Sequence, residues 1–212
     1  MKKEETNNLI NILRATYPEA KCSLDFTTPF ELVVAVMLSA QCTDERVNLT
    51  TPTLFAKCKT IQDFANIDLT ELENIIHPCG FYKNKAKNIK KCATQVLENF
   101  NGKVPCNMDD LLTLAGVGRK SANVILLEVF GIANGIAVDT HCKRISNRIG
   151  LSNQTDPSKI EQDLLKQIDK INLKDVNHLF IWHGRYCCTA RSPKCDICSI
   201  CSFCKKFKKD GH

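Results

Sequence analysis

The 212-residue chain is 43% hydrophobic, 25% charged and only 7% aromatic, which excludes a disordered or low-complexity tail and suffices for one or two modest cores. Nine glycines and seven prolines are too few for the turns of an all-β sandwich, so helices joined by short loops are expected. Of the net charge of +6, residues 183–212 supply +5 (seven Lys/Arg less two acids), a concentration that favours a polyanionic partner although lysine-rich faces are often merely solvated.

Residues 1–10 mix Lys2 and Lys3 with Glu4 and Glu5 and carry no apolar run, so no signal peptide is expected. The thirteen cysteines are then read in a reducing compartment, as metal ligands or buried thiols and not as a disulfide framework. Leu9, Ile10, Leu13 and Tyr17 form the apolar face of a first helix. Thr28, Pro29 and Glu31 have the N-cap, N1 and N3 pattern of a capping box. They open the run Phe30 to Ala40, apolar nearly all round and therefore expected in mid-core. Further helical patterns fall at about 43–57, 68–77, 83–99, 108–114, 119–130, 140–149, 157–170 and 175–186, giving an all-α fold class. The segment Tyr82 to Lys91 carries Lys83, Lys85, Lys87, Lys90 and Lys91 without a carboxylate. The most apolar stretch, 122–138, is interrupted by Asn123, Glu128, Asn134 and two glycines, and reads as buried helix plus turn, not as a membrane span.

Residues 111–122, Leu-Leu-Thr-Leu-Ala-Gly-Val-Gly-Arg-Lys-Ser-Ala, read as helix, turn, helix. Gly116 and Gly118, flanking Val117, are expected to allow positive φ and close backbone approach, so that N–H groups point outward at a helix N-terminus where an anion is favoured. This would grip a phosphate; the plainer reading is a helix C-cap. Lys120 falls in the first turn of the second helix, where unsatisfied N–H groups and the dipole disfavour an ammonium ion, and a neutral amine is a nucleophile. Most lysines, however, are simply solvated. Asp139, in Ala-Val-Asp-Thr-His-Cys-Lys-Arg, suits the N-cap of the next helix, a role compatible with catalysis. His141 has no second ligand at metal-binding spacing and reads as structural or DNA-adjacent.

Six cysteines lie between residues 187 and 204, and Cys188, Cys195, Cys198 and Cys204 follow one another at intervals of six, two and five. Four thiolates so close together can enclose a metal centre. One compact run with a single close pair suits a cubane iron–sulfur cluster, whereas structural zinc more often shows two short pairs. Simple burial fits poorly beside Lys194, Asp196, Lys205 and Lys206. Cys187 and Cys201 are spare, which leaves open which four ligate.

Five segments occur in order over nearly the whole chain: Leu-Ser-Ala-Gln-x-Thr-Asp at 38–44, Leu-x-Gly-Val-Gly-Arg-Lys, Val-Asp-Thr-His, His-Gly-Arg-Tyr at 183–186, and the six-two-five cysteine spacing. Together they resemble the endonuclease III family of DNA glycosylases. The resemblance implies a helix-hairpin-helix DNA glycosylase fold of two helical lobes with a DNA-binding groove between them. One lobe would be a six-helix domain at 21–132 containing the hairpin at about 108–128; the other, 1–20 plus 133–212, would hold one [4Fe-4S] cluster in the loop 188–204 on Cys188, Cys195, Cys198 and Cys204. It implies Lys120 and Asp139 as catalytic residues. It also implies that Gln41 and Phe81 wedge into the duplex as the damaged nucleotide is flipped out. Phosphate contacts are expected from Gly116, Val117 and Gly118 and from Lys83 and Lys85. Phe81 stands where the family usually has leucine, and Ala115 where it has proline; Cys42, Cys142, Cys187 and Cys201 match no family ligand.

The implied activity is bifunctional. Lys120 attacks C1′ of the damaged nucleotide, the base leaves, Asp139 stabilises the sugar charge or takes the lysine proton, and the Schiff base undergoes β-elimination 3′ to the abasic site. Oxidised pyrimidines in double-stranded DNA are the implied substrates, with the protein a monomer in the bacterial cytoplasm, associated with the nucleoid and not with a membrane. An A/G-mismatch-type adenine glycosylase, disfavoured by Lys120 and by the chain's end at His212, is the nearest alternative. A non-enzymatic helix-hairpin-helix DNA-binding protein would need neither Lys120 nor Asp139, and a zinc protein with a basic tail is the third.

Overall fold

The computed structural model describes residues 2–209. Its α-helices are α1 (Lys3–Thr16), α2 (Pro29–Leu38), α3 (Asp44–Lys57), α4 (Ile61–Asn66), α5 (Leu69–Ile76), α6 (Tyr82–Phe100), α7 (Met108–Thr113), α8 (Arg119–Phe130), α9 (Thr140–Ile149), α10 (Pro157–Gln167), α11 (Leu173–Tyr186) and α12 (Lys205–Lys209). Single 3₁₀ turns occupy His77–Cys79, Lys170–Asn172, Cys195–Ile197 and Cys201–Phe203, and no strand occurs among the described residues. No helix among them is long and apolar enough to cross a membrane.

The chain divides into two units, residues 23–130 and the two terminal stretches, 2–22 with 131–209. The first unit is built round α2. Thr28 accepts from Glu31 N–H while the Glu31 carboxylate accepts from the Thr27 and Thr28 amides, closing the capping box. Every residue from Phe30 to Leu38 is buried, as an all-round apolar helix requires, and α3, α6 and α8 pack against it. This unit contains seven α-helices where the sequence reading gives six. The additional one, α4, is capped by Thr60, whose hydroxyl accepts from Asp63 N–H while Asp63 accepts from the Lys59 and Thr60 amides. Its one buried residue, Phe64, is too little for a helical period to register.

In the second unit Leu9, Ile10 and Leu13 of α1 join Cys142 and Ile145 of α9 and Val176 and Phe180 of α11 in one core. Arg14 fastens the N-terminal helix to α11: its Nε and Nη2 reach Asp175 Oδ2 at 2.9 and 2.6 Å, and Nη2 also donates to Asn172 Oδ1 at 2.8 Å. The two ends of the sequence are thereby drawn into one body, with α9 in contact with α10, α11 and α12.

Candidate functional site

In the first unit the turn between α7 and α8 is anchored by Val117, which is buried, while Gly116 and Gly118 on either side are exposed. Val117 N–H donates to Leu114 C=O at 3.1 Å, and Gln95 of α6 clamps the entry, donating to Thr113 C=O at 3.0 Å and accepting from Ala115 N–H at 2.8 Å. The two glycines differ, against the expectation of positive φ at both. Gly116 has φ +79°, and a Cβ there would stand 3.0 Å from Asn88 Cβ and 3.2 Å from Met37 Cε. Gly118 is not in the left-handed region and a Cβ on it would meet nothing within 4 Å. Gly116 is thus required by the fold, whereas the space over Gly118 is open. Lys120 is exposed in the first turn of α8.

Gln41 follows α2 and Phe81 is the N-cap residue of α6. Both are exposed, Phe81 by 64%, and both hold left-handed backbone, φ 55° and 48°. For residues with a Cβ that conformation costs about 1–2 kcal/mol each, and persists only where the surroundings impose it. With Met37, Ala40, Asn84, Lys85, Asn88 and Gly116 they line one cavity of about 180 Å³.

The basic segment of α6 is not uniform. Lys83 and Lys87 are exposed. Lys85, expected as a phosphate contact, is corrected by its burial: it is 7% exposed and its Nζ donates to Leu38 C=O at 2.8 Å and Cys79 C=O at 2.9 Å. Burial pushes its pKa down, with the Cys42 and Cys79 thiols opposing the shift. In this arrangement the donors of the ammonium are turned to backbone carbonyls and not to a phosphate. Lys90 likewise turns inward, to the carbonyls of Ala65 and Ile67. The sequence did carry a signal, because Lys85 lies on the same helical stripe as Ile89, Cys92 and Val96, all buried.

In the second unit Asp139 is half-buried and caps α9, its Oδ1 accepting from Cys142 N–H at 2.7 Å. The preceding segment is fixed by Asn177 Nδ2 on Ala137 C=O at 2.5 Å and by Ile136 N–H on Glu161 Oε1 at 3.1 Å. His141, one turn into the helix, meets Arg144 Nη2 at 3.1 Å through Nδ1. Burial lowers its pKa, Asp139 opposes this, and Arg144 and Arg185 add to it. The glycine of His-Gly-Arg-Tyr is explained by the same contact, since a Cβ on Gly184 would lie 2.5 Å from His141 Nδ1 and 2.9 Å from Arg144 Nη2.

The C-terminal loop surrounds a cavity of about 360 Å³ lined by Cys187, Cys188, Cys195, Cys198, Cys201 and Cys204 together with His183, Arg148 and Lys194. Ligand atoms of His183, Cys187 and Cys198 lie within 4.8 Å of one another. Sequence reading did not single out His183 as a neighbour of the thiols. It is 1% exposed, its Nδ1 meets Tyr17 Oη at 3.1 Å and its Nε2 meets Cys198 Sγ at 3.7 Å, and burial lowers its pKa to about 4. Arg148 Nη1 donates to Cys188 Sγ at 3.3 Å and Phe207 N–H to Cys204 Sγ at 3.5 Å. Soft sulfur donors, with N–H groups aimed at two of them, fit a metal cluster bound through thiolates.

A family model described as HhH-GPD superfamily base excision DNA repair protein matches residues 34–170. The endonuclease III of Synechocystis sp. is 49% identical over 194 residues, 92% of this chain and 89% of its own. A solved structure of a non-covalent endonuclease III–DNA complex matches with a TM-score of 0.92 at 41% identity, covering 99% of this chain and 98% of that one. A trapped endonuclease III–DNA covalent intermediate, in an estranged-adenine complex, gives 0.93 at 40% identity with both chains covered in full (100%). By these matches the chain, with its hairpin, capped aspartate and cysteine loop, belongs to the endonuclease III family of the HhH-GPD superfamily.

Proposed function

We propose that the protein is a bifunctional base-excision DNA glycosylase and abasic-site lyase, acting as a monomer on double-stranded DNA that carries oxidised pyrimidines or abasic sites, in the bacterial cytoplasm at the nucleoid. The observation that carries this reading is Lys120, exposed in the first turn of α8 directly after the Gly116–Val117–Gly118 turn. There a nucleophilic amine stands beside backbone that a phosphate can approach. The trapped covalent intermediate of a 40%-identical relative supports the same chemistry.

In this mechanism Gln41 and Phe81 enter the duplex as the damaged nucleotide leaves it, and N–H groups of the hairpin with Lys83 hold the phosphates. Lys120 Nζ bonds to C1′ while the glycosidic bond breaks, its electron pair leaving with the base. The proton lost by the lysine nitrogen passes to the Asp139 carboxylate, which also stabilises positive charge on the sugar. Opening of the sugar gives an imine between Lys120 and C1′. The imine acidifies C2′; loss of that proton and departure of the 3′ phosphate cleave the strand. Cys188, Cys195, Cys198 and Cys204 would hold one [4Fe-4S] cluster, which would supply a rigid cross-link fixing the loop that carries Lys194 and the start of α12 with Lys205 and Lys206.

The test is a panel of duplexes, each with one damaged or mismatched base, scored separately for base release and strand cleavage. Both activities are expected on oxidised pyrimidines. Adenine release from an A/G mismatch without cleavage would make the protein an adenine glycosylase, and binding without either activity a passive DNA-binding module.

A further inference from the structure

Lys85 is a buried ammonium group held on two carbonyls that belong to different segments. Leu38 ends α2, three residues before Gln41, and Cys79 ends the 3₁₀ turn His77–Cys79, two residues before Phe81. The last carbonyls of a helical segment carry partial negative charge and lack intrahelical partners, so one cation satisfies both ends at once. Each end leads directly into an exposed residue on left-handed backbone. Gln41 and Phe81 also share one cavity with Lys85. A lone strained residue would need its own support; here one buried side chain stands behind both.

We infer that Lys85 is a positioning residue for nucleotide extrusion, stapling the exits of α2 and of the 3₁₀ turn so that Gln41 and Phe81 enter the duplex as one rigid wedge. This rests on the reading of those two residues as the wedge. The staple sets the rate at which the nucleotide leaves the stack, and neither the affinity for undamaged DNA nor the imine chemistry depends on it directly. A misplacement of about 1 Å caused by a mutation away from the chemistry can cost on the order of a hundredfold in rate, so loss of the staple should register kinetically well before it registers in binding.

The experiment is stopped-flow fluorescence of 2-aminopurine placed beside an oxidised pyrimidine, with the whole protein as parent, Lys85→Met, Phe81→Ala, the Lys85→Met/Phe81→Ala double variant and a Gln41→Ala/Phe81→Ala pair. Lys85→Met should slow extrusion on the order of tenfold or more, with affinity for undamaged duplex within about twofold. In the Phe81→Ala background the same substitution should add much less, because the element it positions is already gone. Lys85→Gln, whose amide can reach one carbonyl but not span both, should fall between parent and Lys85→Met, and serves in its place if Lys85→Met does not fold. Extrusion at the parental rate in Lys85→Met or Lys85→Gln, or full additivity with Phe81→Ala, would overturn the staple while leaving the wedge intact. Parental extrusion in Gln41→Ala/Phe81→Ala would instead remove the wedge reading itself, and the staple with it.

Discussion

Asp139 caps the first turn of α9 and Arg148 occupies its last, where the guanidinium binds Cys188 Sγ at 3.3 Å, Thr189 C=O at 2.7 Å and Ala190 C=O at 2.9 Å. Between them Arg144 donates to Cys188 C=O at 3.1 Å and Gly184 C=O at 3.0 Å. One helix therefore carries the aspartate at one end and grips the cysteine loop from the other.

This coupling makes the loop a support for Asp139 as well as for its own lysines. Cys198→Ser should lose the cluster and, through α9, slow base release, whereas Cys201→Ser should keep iron, brown colour and rate. Iron analysis and single-turnover kinetics on both variants decide it. Retention of about four irons per chain in Cys198→Ser would remove Cys198 from the ligand set, and loss of the metal in Cys187→Ser would bring the tighter group formed by His183, Cys187 and Cys198 into the site.

The hairpin glycines should separate into a folding role and a binding role. Gly116→Ala places a Cβ on positive φ against Asn88 and Met37, and should destabilise the first unit by about 1–3 kcal/mol. Gly118→Ala has open space around it and should unfold at the parental temperature while binding DNA more weakly, since its Cβ occupies the face a phosphate must approach. Thermal unfolding and a binding titration on each variant test the distinction; equal effects on both quantities would refute it.

Salt dependence should separate the lysines of α6 in the same way. Lys83 and Lys87 are exposed, so Lys83→Ala or Lys87→Ala should reduce the slope of log affinity against log salt by about one for each phosphate no longer neutralised. Lys85→Met should leave that slope unchanged, because its ammonium already has two carbonyl partners. A reduced slope in Lys85→Met would mean that the side chain swings out to a phosphate on binding.

The elements most legible in the sequence are those whose local chemistry closes on itself. The capping box of Thr28 and Glu31 reads directly as the start of α2, and the buried run behind it as the middle of the first unit. Asp139 as an N-cap is equally local, since its partner is the amide three residues on. Charge proved a poorer guide. A run of lysines looks uniformly basic, yet α6 turns Lys85 and Lys90 onto carbonyls distant in sequence, and only helical phase distinguishes them from Lys83 and Lys87. His183 beside Cys198, and Arg148 on Cys188, depend on how α9, α11 and the loop pack, which no local spacing encodes.

The nucleophile assignment distinguishes a bifunctional enzyme from a glycosylase that stops at base removal, and from a passive binder. If Lys120 forms an imine with C1′, borohydride added during turnover should reduce it to a stable amine and join protein to DNA covalently. Lys120→Ala should abolish that adduct while leaving affinity for damaged duplex nearly unchanged, because the phosphate contacts come from hairpin backbone and exposed lysines and not from the nucleophile. Asp139→Asn retains a side-chain oxygen to accept from Cys142 N–H and should fold. It should nevertheless slow base release about a hundredfold or more, since an amide can neither take the lysine proton nor oppose the sugar charge. Denaturing electrophoresis of the trapped adduct reads the first outcome and single-turnover kinetics the second. Trapping that persists undiminished in Lys120→Ala would identify a different amine as the nucleophile, and parental rates in Asp139→Asn would reduce the carboxylate to a helix cap.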